Sequence, residues 1–172
     1  MMKRFLSTTS IFALCFAAFA QQLSAPPIRM GLWETTITEI QTLVYDAARP
    51  SHKQTLPPKT WQTRSCISPE SWRKDYGQIP ETPGCEDKNV RISSSGISFD
   101  RTCKTAGIAK IHSQLNYVSP EKMQRIVRIE MASSSGPHAI VNITDQTSDS
   151  VYIGPDCGRQ KPGDTWPLYP SR

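Results

Sequence analysis

The sequence is poor in the features that usually announce a function. After residue 20 no apolar run approaches the ~20 residues that a membrane-spanning helix needs, so no transmembrane segment is expected. Glycine is scarce, nine residues in 172. Neither a Gly-x-Ser-x-Gly elbow nor a Gly-rich phosphate loop occurs, which removes the commonest marks of a serine hydrolase and of a nucleotide site. No two cysteines stand in a Cys-x2-4-Cys spacing and no histidine lies three to five residues from one, so a zinc site lacks its ligand pattern. His52, His112 and His138 share no ligand spacing either; they are expected in a loop, on the polar face of a strand and in a turn. Asp145, Asp149 and Asp156 lack the one-three-five rhythm and central glycine of a calcium loop. No cofactor or metal is expected. Charge is sparse too, with 20% charged residues and a formal net charge of +5. The basic residues are scattered among acids and serines, without a Lys/Arg run or interleaved aromatics, which excludes a nucleic-acid groove.

What the sequence does have begins with an export signal. Lys3 and Arg4 precede an apolar run from Ile11 to Phe19, and Ala18-Phe19-Ala20 is a good cleavage site, so residues 1–20 read as a signal peptide. The protein is therefore expected to be periplasmic or secreted after cleavage near Ala20. Cys15 leaves with the signal, and Cys66, Cys85, Cys103 and Cys157 remain, an even number in an oxidising compartment; two disulfides follow. Residues 21–30 lack periodicity and form a loose leader, residues 31–157 a single disulfide-bonded β domain, and residues 158–172 a Pro-rich tail that is extended or mobile.

Alternation of period two runs through the domain. Gly31–Ile40 places Trp33, Thr35 and Ile37 on one face, and a strand over Thr60–Ile67 follows a long exposed connection. Ser68 is an N-cap and Pro69 suits the first helical position; Trp72 and Tyr76, four apart, face the sheet before Gly77 ends the helix. Further on, pairing Tyr117 with Met123 sets Ile111 opposite Ile129 and Ala109 opposite Met131. The next turn, Ser133–His138, brings Met131 opposite Val141 and Ile129 opposite Ile143, and a separate short strand, Val151–Ile153, closes the domain. The fold class is mainly β: about seven strands in an antiparallel meander forming a strongly curved sheet or open barrel, covered by one short helix.

Four cysteines allow three connectivities. Cys85 and Cys103 stand almost equally far from the Ser93-Ser94-Ser95-Gly96 turn of one hairpin, which favours joining them and leaves Cys66 for Cys157. The apolar residues set Ile92 against Ile97 and Val90 against Phe99, which puts Glu86 opposite Cys103. A one-residue bulge near Asp87, or fraying after Gly84, reconciles the two demands.

Four features then coincide: Gly31-Leu32-Trp33-Glu34 opening the domain, Cys66-Ile67-Ser68-Pro69-Glu70 ending a strand, the Cys85–Cys103 hairpin, and Ile153-Gly154-Pro155-Asp156-Cys157. From about Met30 to Cys157 the chain resembles a family of exported bacterial proteins catalogued as a domain of unknown function, number three-six-one-seven in that series. The resemblance implies a Gram-negative envelope or secreted location and brings no catalytic residues.

With no catalytic constellation, the leading expectation is a non-enzymatic binding module for a small apolar ligand or envelope component. Trp33, Trp61 and Tyr117 would line a ligand cup if the sheet curls, although aromatic residues on an inward face more often fill a core. The alternatives are a structural or inhibitory envelope protein acting through protein contacts, and a hydrolase with its site scattered among loops.

Overall fold

The structure, a computed structural model, describes residues 25–104, 107–133 and 138–168. The signal peptide expected at residues 1–20 lies outside them, as do parts of the leader, of the Ser133–His138 turn and of the tail. Among the described residues nine strands and one helix follow in the order β1 (Gly31–Val44), β2 (Lys53–Thr55), β3 (Lys59–Ile67), α1 (Pro69–Asp75), β4 (Cys85–Ser93), β5 (Gly96–Lys104), β6 (Ile108–Ser119), β7 (Lys122–Ala132), β8 (Val141–Gly154) and β9 (Thr165–Leu168). They form one antiparallel sheet in the spatial order β4-β5-β6-β7-β8-β1-β3-β9, with β2 hung on the far end of β1. The sheet is open, with β4 and β9 at its edges.

The alternation dictates which face is buried. Trp33, Ile67, Leu115, Tyr117 and Met123 share one face through the registers that join β1, β3, β6, β7 and β8, and all five are buried. Four strand spacings of roughly 4.8 Å separate β3 from β6 in a flat sheet, yet Ile67 and Leu115 belong to one core cluster with Trp72. Curvature of the sheet and the inserted helix bring them together.

Helix α1 starts where Ser68 accepts a hydrogen bond from the Ser71 backbone N–H and Ser71 returns one from the Ser68 N–H, a reciprocal cap with Pro69 at the first helical position. The short helix turns Trp72, 1% exposed, into the trough and packs Tyr76 beside it. A Cβ on Gly77 would come within 2.9 Å of the Trp72 ring, so only glycine lets the chain leave the helix this close to its own anchor.

The β6–β7 register is the expected one, with Tyr117 opposite Met123, Ile111 opposite Ile129 and Ala109 opposite Met131. The β7–β8 register is not. Met131 faces Asn142 and Ile129 faces Thr144, one residue away from the expected pairs with Val141 and Ile143. The slip turns Asn142, Thr144, Gln146, Ser148 and Ser150 to the concave face and Val141 and Ile143 to the convex one. Strand β8 also runs unbroken through Val151–Ile153, expected to be a separate strand, because it lies between β7 and β1 and pairs with both.

Other segments differ from expectation for equally local reasons. The loose leader is tied down at its end: Ile28 is 5% exposed in the core, and the Arg29 N–H donates to the Pro120 carbonyl. The long connection is a hairpin, with β1 extended to Val44 and Val44 opposite Lys53, closed by a turn in which buried Asp46 accepts from Arg49 and the Ala48 N–H. The tail is extended and paired, β9 lying along Gln62–Ser65 of β3.

Disulfides join Cys66 to Cys157 and Cys85 to Cys103. Cys85 sits directly opposite Cys103 while Ile92 keeps Ile97. The bulge lies at Asn89 and Val90, which together oppose Phe99 between the pairs Lys88–Asp100 and Arg91–Ser98. Asn89 takes φ +53°, a left-handed conformation that asparagine tolerates, and its side-chain amide donates to Asp100 at 2.6 Å. Val90, expected on the apolar face, is thereby 48% exposed.

Candidate functional site

The three residues expected to line a cup do not form one together. Trp33 is fully buried, its indole N–H donating to the Arg29 carbonyl at 3.0 Å and its ring set edge-on to Tyr152. Tyr117 is also in the packed core and donates its hydroxyl hydrogen to the Tyr76 carbonyl. Trp61 shares their face but stands opposite Ile37, half-buried and outside that cluster. Helix α1 fills the place where the cup was expected.

What remains open is a cleft beside the filled region, about 260 Å³ in volume, between the end of α1 and the concave faces of β5, β6 and β7. Ile97, Phe99 and Leu115 form its apolar floor and Ser113 adds one hydroxyl. Asp75, Tyr76, Gln78 and Pro80 make one wall, and Arg125 stands on the other side. Arg125 arrives there by register, opposite Leu115 on β6 and Ser148 on β8.

The Pro-rich wall is held by one buried cation. Arg101, 8% exposed, grips Asp87 through Nε and Nη2 at 2.7 and 2.8 Å and donates to the Thr82 hydroxyl and the Pro80 carbonyl at 2.7 and 2.6 Å. Its guanidinium also lies over the Phe99 ring at 5.2 Å. One side chain thus anchors both the wall at Pro80 and the floor at Phe99, and a planar five-donor fork suits that task better than a lysine.

Residues 28–157 match the family described as Protein of unknown function (DUF3617). The chain belongs to this family. No curated protein matches it. Among solved structures it is similar to the S-type phycobiliprotein lyase CPES from Guillardia theta, with 8% identity over 73% of this chain and 88% of that one at a TM-score of 0.29. It is also similar to Ail, the attachment invasion locus protein of Yersinia pestis, with 7% identity over 72% of this chain and 99% of that one at a TM-score of 0.30.

In this DUF3617 domain the histidines lie away from the cleft. His52 is in the β1–β2 turn; His112 is on the convex face with Nδ1 at 2.6 Å from Asp100, and His138 is 3.4 Å from Asp46. Among the described residues no group of three or more His, Cys, Asp or Glu converges as a metal site, and no helix is long and apolar enough to cross a membrane.

Burial shifts two phenols at the cleft, Tyr76 in its wall and Tyr117 in the core behind it. Burial pushes the Tyr117 hydroxyl up to about 12, partly opposed by the Trp72 indole N–H. That contact falls short of hydrogen-bond geometry, so Trp72 Nε1 is a buried donor without an acceptor among the described residues. Burial raises Tyr76 as well, with Asp75 adding to the rise and Ser65 and Arg125 opposing it. The folded state prefers both phenols neutral. Their contribution is therefore complete below the unfolded value of about 10 and disappears as pH climbs through the folded value. Tyr117→Phe is expected to lose less stability than the parent between about pH 9 and pH 12, measured by urea midpoints, while costing about 1 kcal/mol at neutral pH for the lost hydroxyl bond. Equal alkaline losses in the two proteins would contradict the assignment to Tyr117.

Proposed function

We propose that this domain is an exported, non-enzymatic binding module, acting in the periplasm or outside the cell, that holds a small ligand with an apolar body in the cleft beside α1. The observation that carries this reading is an apolar floor of Ile97, Phe99 and Leu115, open to entry and bordered by a few polar groups, the composition expected of a small-molecule site. At about 260 Å³ the cleft is slightly below the usual range of roughly 300–1,000 Å³, which suits one ring or one short chain and not a two-chain lipid. Export is supported by the charged start and apolar run of residues 1–20 and by two disulfides, which persist in oxidising compartments.

A fluorescent naphthylamine probe tests the cleft directly. Its emission is expected to rise on adding the disulfide-bonded protein. Phe99→Trp, which enlarges a half-buried floor side chain outside the filled core, is expected to abolish that rise with the circular dichroism spectrum unchanged. A probe that fails to bind, or binds the filled variant equally well, overturns the reading.

A further inference from the structure

Resting on that reading, we infer that the ligand of the cleft is an apolar zwitterion: a molecule with one carboxylate and one ammonium group on an apolar body, as in a free amino acid with an aromatic or branched side chain. The cleft borders contain one exposed anion, Asp75, and one exposed cation, Arg125. Among the described residues neither side chain has an ion-pair or hydrogen-bond partner, and the two are not within 4 Å of each other, although both act on the Tyr76 phenol and so lie near the same ring. On the same concave side Arg101, by contrast, is paired with Asp87. A lone carboxylate on a ligand gains at Arg125 and meets Asp75 as a like charge; a lone ammonium meets the reverse. A zwitterion satisfies both while its apolar part covers Ile97, Phe99 and Leu115. The small volume agrees with a single residue-sized body.

Phenylalanine, 3-phenylpropionate, phenethylamine and 3-phenylpropanol are matched probes that differ in charge, and binding can be followed by chemical-shift changes of the Ile97, Phe99 and Leu115 side chains in the disulfide-bonded protein. Phenylalanine is expected to bind about tenfold or more tightly than either singly charged probe. Arg125→Gln should remove its advantage over phenethylamine, and Asp75→Asn its advantage over 3-phenylpropionate. Both positions are exposed, so unchanged melting curves separate these effects from misfolding. If phenylpropanol or a singly charged probe binds as tightly as phenylalanine, the zwitterion assignment is overturned while the binding module stands. If none of the four shifts the cleft resonances and the naphthylamine also fails to bind, both fall.

Discussion

Replacing Cys66 and Cys157 together by serine is expected to cost roughly 4–5 kcal/mol, against roughly 3 kcal/mol for the Cys85/Cys103 double replacement. The bonds close loops of 91 and 18 residues, and the unfolded-chain entropy removed grows with loop length. Native context points the same way. Cys85 and Cys103 sit at the foot of the β4–β5 edge hairpin, which residue-by-residue pairing already holds and whose β4 arm is exposed along most of its length. Cys66 ends β3 beside Ile67, 2% exposed, and its bond reaches across the start of β1 to the segment that leaves β8. That crossing is tight. Gly31 has φ +136°, and a Cβ there would lie 2.2 Å from the Gly154 carbonyl oxygen, so the chain passes over a glycine for want of any other room. Gly163 then donates back to the Cys66 carbonyl, and β9 follows. Losing the long bond is therefore expected to free the tail as well. For a domain worth ~5–15 kcal/mol, the Cys66/Cys157 variant should sit near the edge of folding. Urea unfolding of both variants checks the order; a larger loss for Cys85/Cys103 would contradict it.

The parts of this fold that were legible in the sequence are those where side-chain alternation and burial agree. Strands β6 and β7 carry Leu115, Tyr117, Met123 and Val127 on the buried face, so one register satisfies them all. The cap of α1 was legible because Ser68-Pro69-Glu70 has its own local chemistry. Strand β8 broke the rule. Its concave positions are Asn142, Thr144, Gln146, Ser148 and Ser150, and its apolar Val141, Ile143 and Val151 point the other way. A register that brings the apolar residues of β8 to the buried face is therefore off by one residue. Partners that repay such a strand are distant in sequence, as when Thr35 and Ser150 share a hydrogen bond at 2.8 Å. Strands β2 and β9 were invisible for a similar reason: Lys53–Thr55 is wholly polar and exposed, and Thr165–Leu168 lies in a Pro-rich tail whose pairing is supplied by β3.

The candidate site was less legible than the fold. Trp33 and Tyr117 drew attention as large aromatic residues on an inward face, and those are the side chains a core consumes first. The cleft is built instead from what α1 leaves uncovered. Arg125 looks in sequence like a polar interruption between Met123 and Val127. Only the curvature that brings α1 over β5–β7 sets it beside Asp75, fifty positions earlier in the chain. An arginine on the otherwise apolar alternation of β7 was the available signal.

Trp33→Ala is expected to cost about 3–5 kcal/mol, and Trp61→Ala, on the same strand face, about 1–2 kcal/mol. Both residues look equivalent in the alternation of their strands, so the difference isolates position in the trough. Trp33 is 0% exposed and joins three parts of the molecule: its indole N–H holds the Arg29 carbonyl, its ring meets Tyr152 at 5.8 Å between centroids, and its cluster includes Ile28, Trp72 and Met123. Truncation leaves a cavity that the strands on either side cannot close, because β3 and β8 fix β1 through pairs along its whole length. It also leaves the Arg29 carbonyl without its donor, and residues 26–30 are then held by the Arg29 N–H bond to Pro120, the Arg29–Glu121 ion pair, the Arg29 guanidinium over Tyr152 and the core contacts of Ile28 and Met30. Trp61 is half-buried and leaves no sealed cavity. Hydrogen exchange separates the two parts of the Trp33 effect: the alanine variant is expected to lose protection at the Arg29 amide before global unfolding, whereas Trp33→Phe, which fills most of the space but cannot donate, should lose that protection with a smaller global cost. Equal costs at Trp33 and Trp61, or an Arg29 amide as protected in both Trp33 variants as in the parent, would show that the leader is not held from this core.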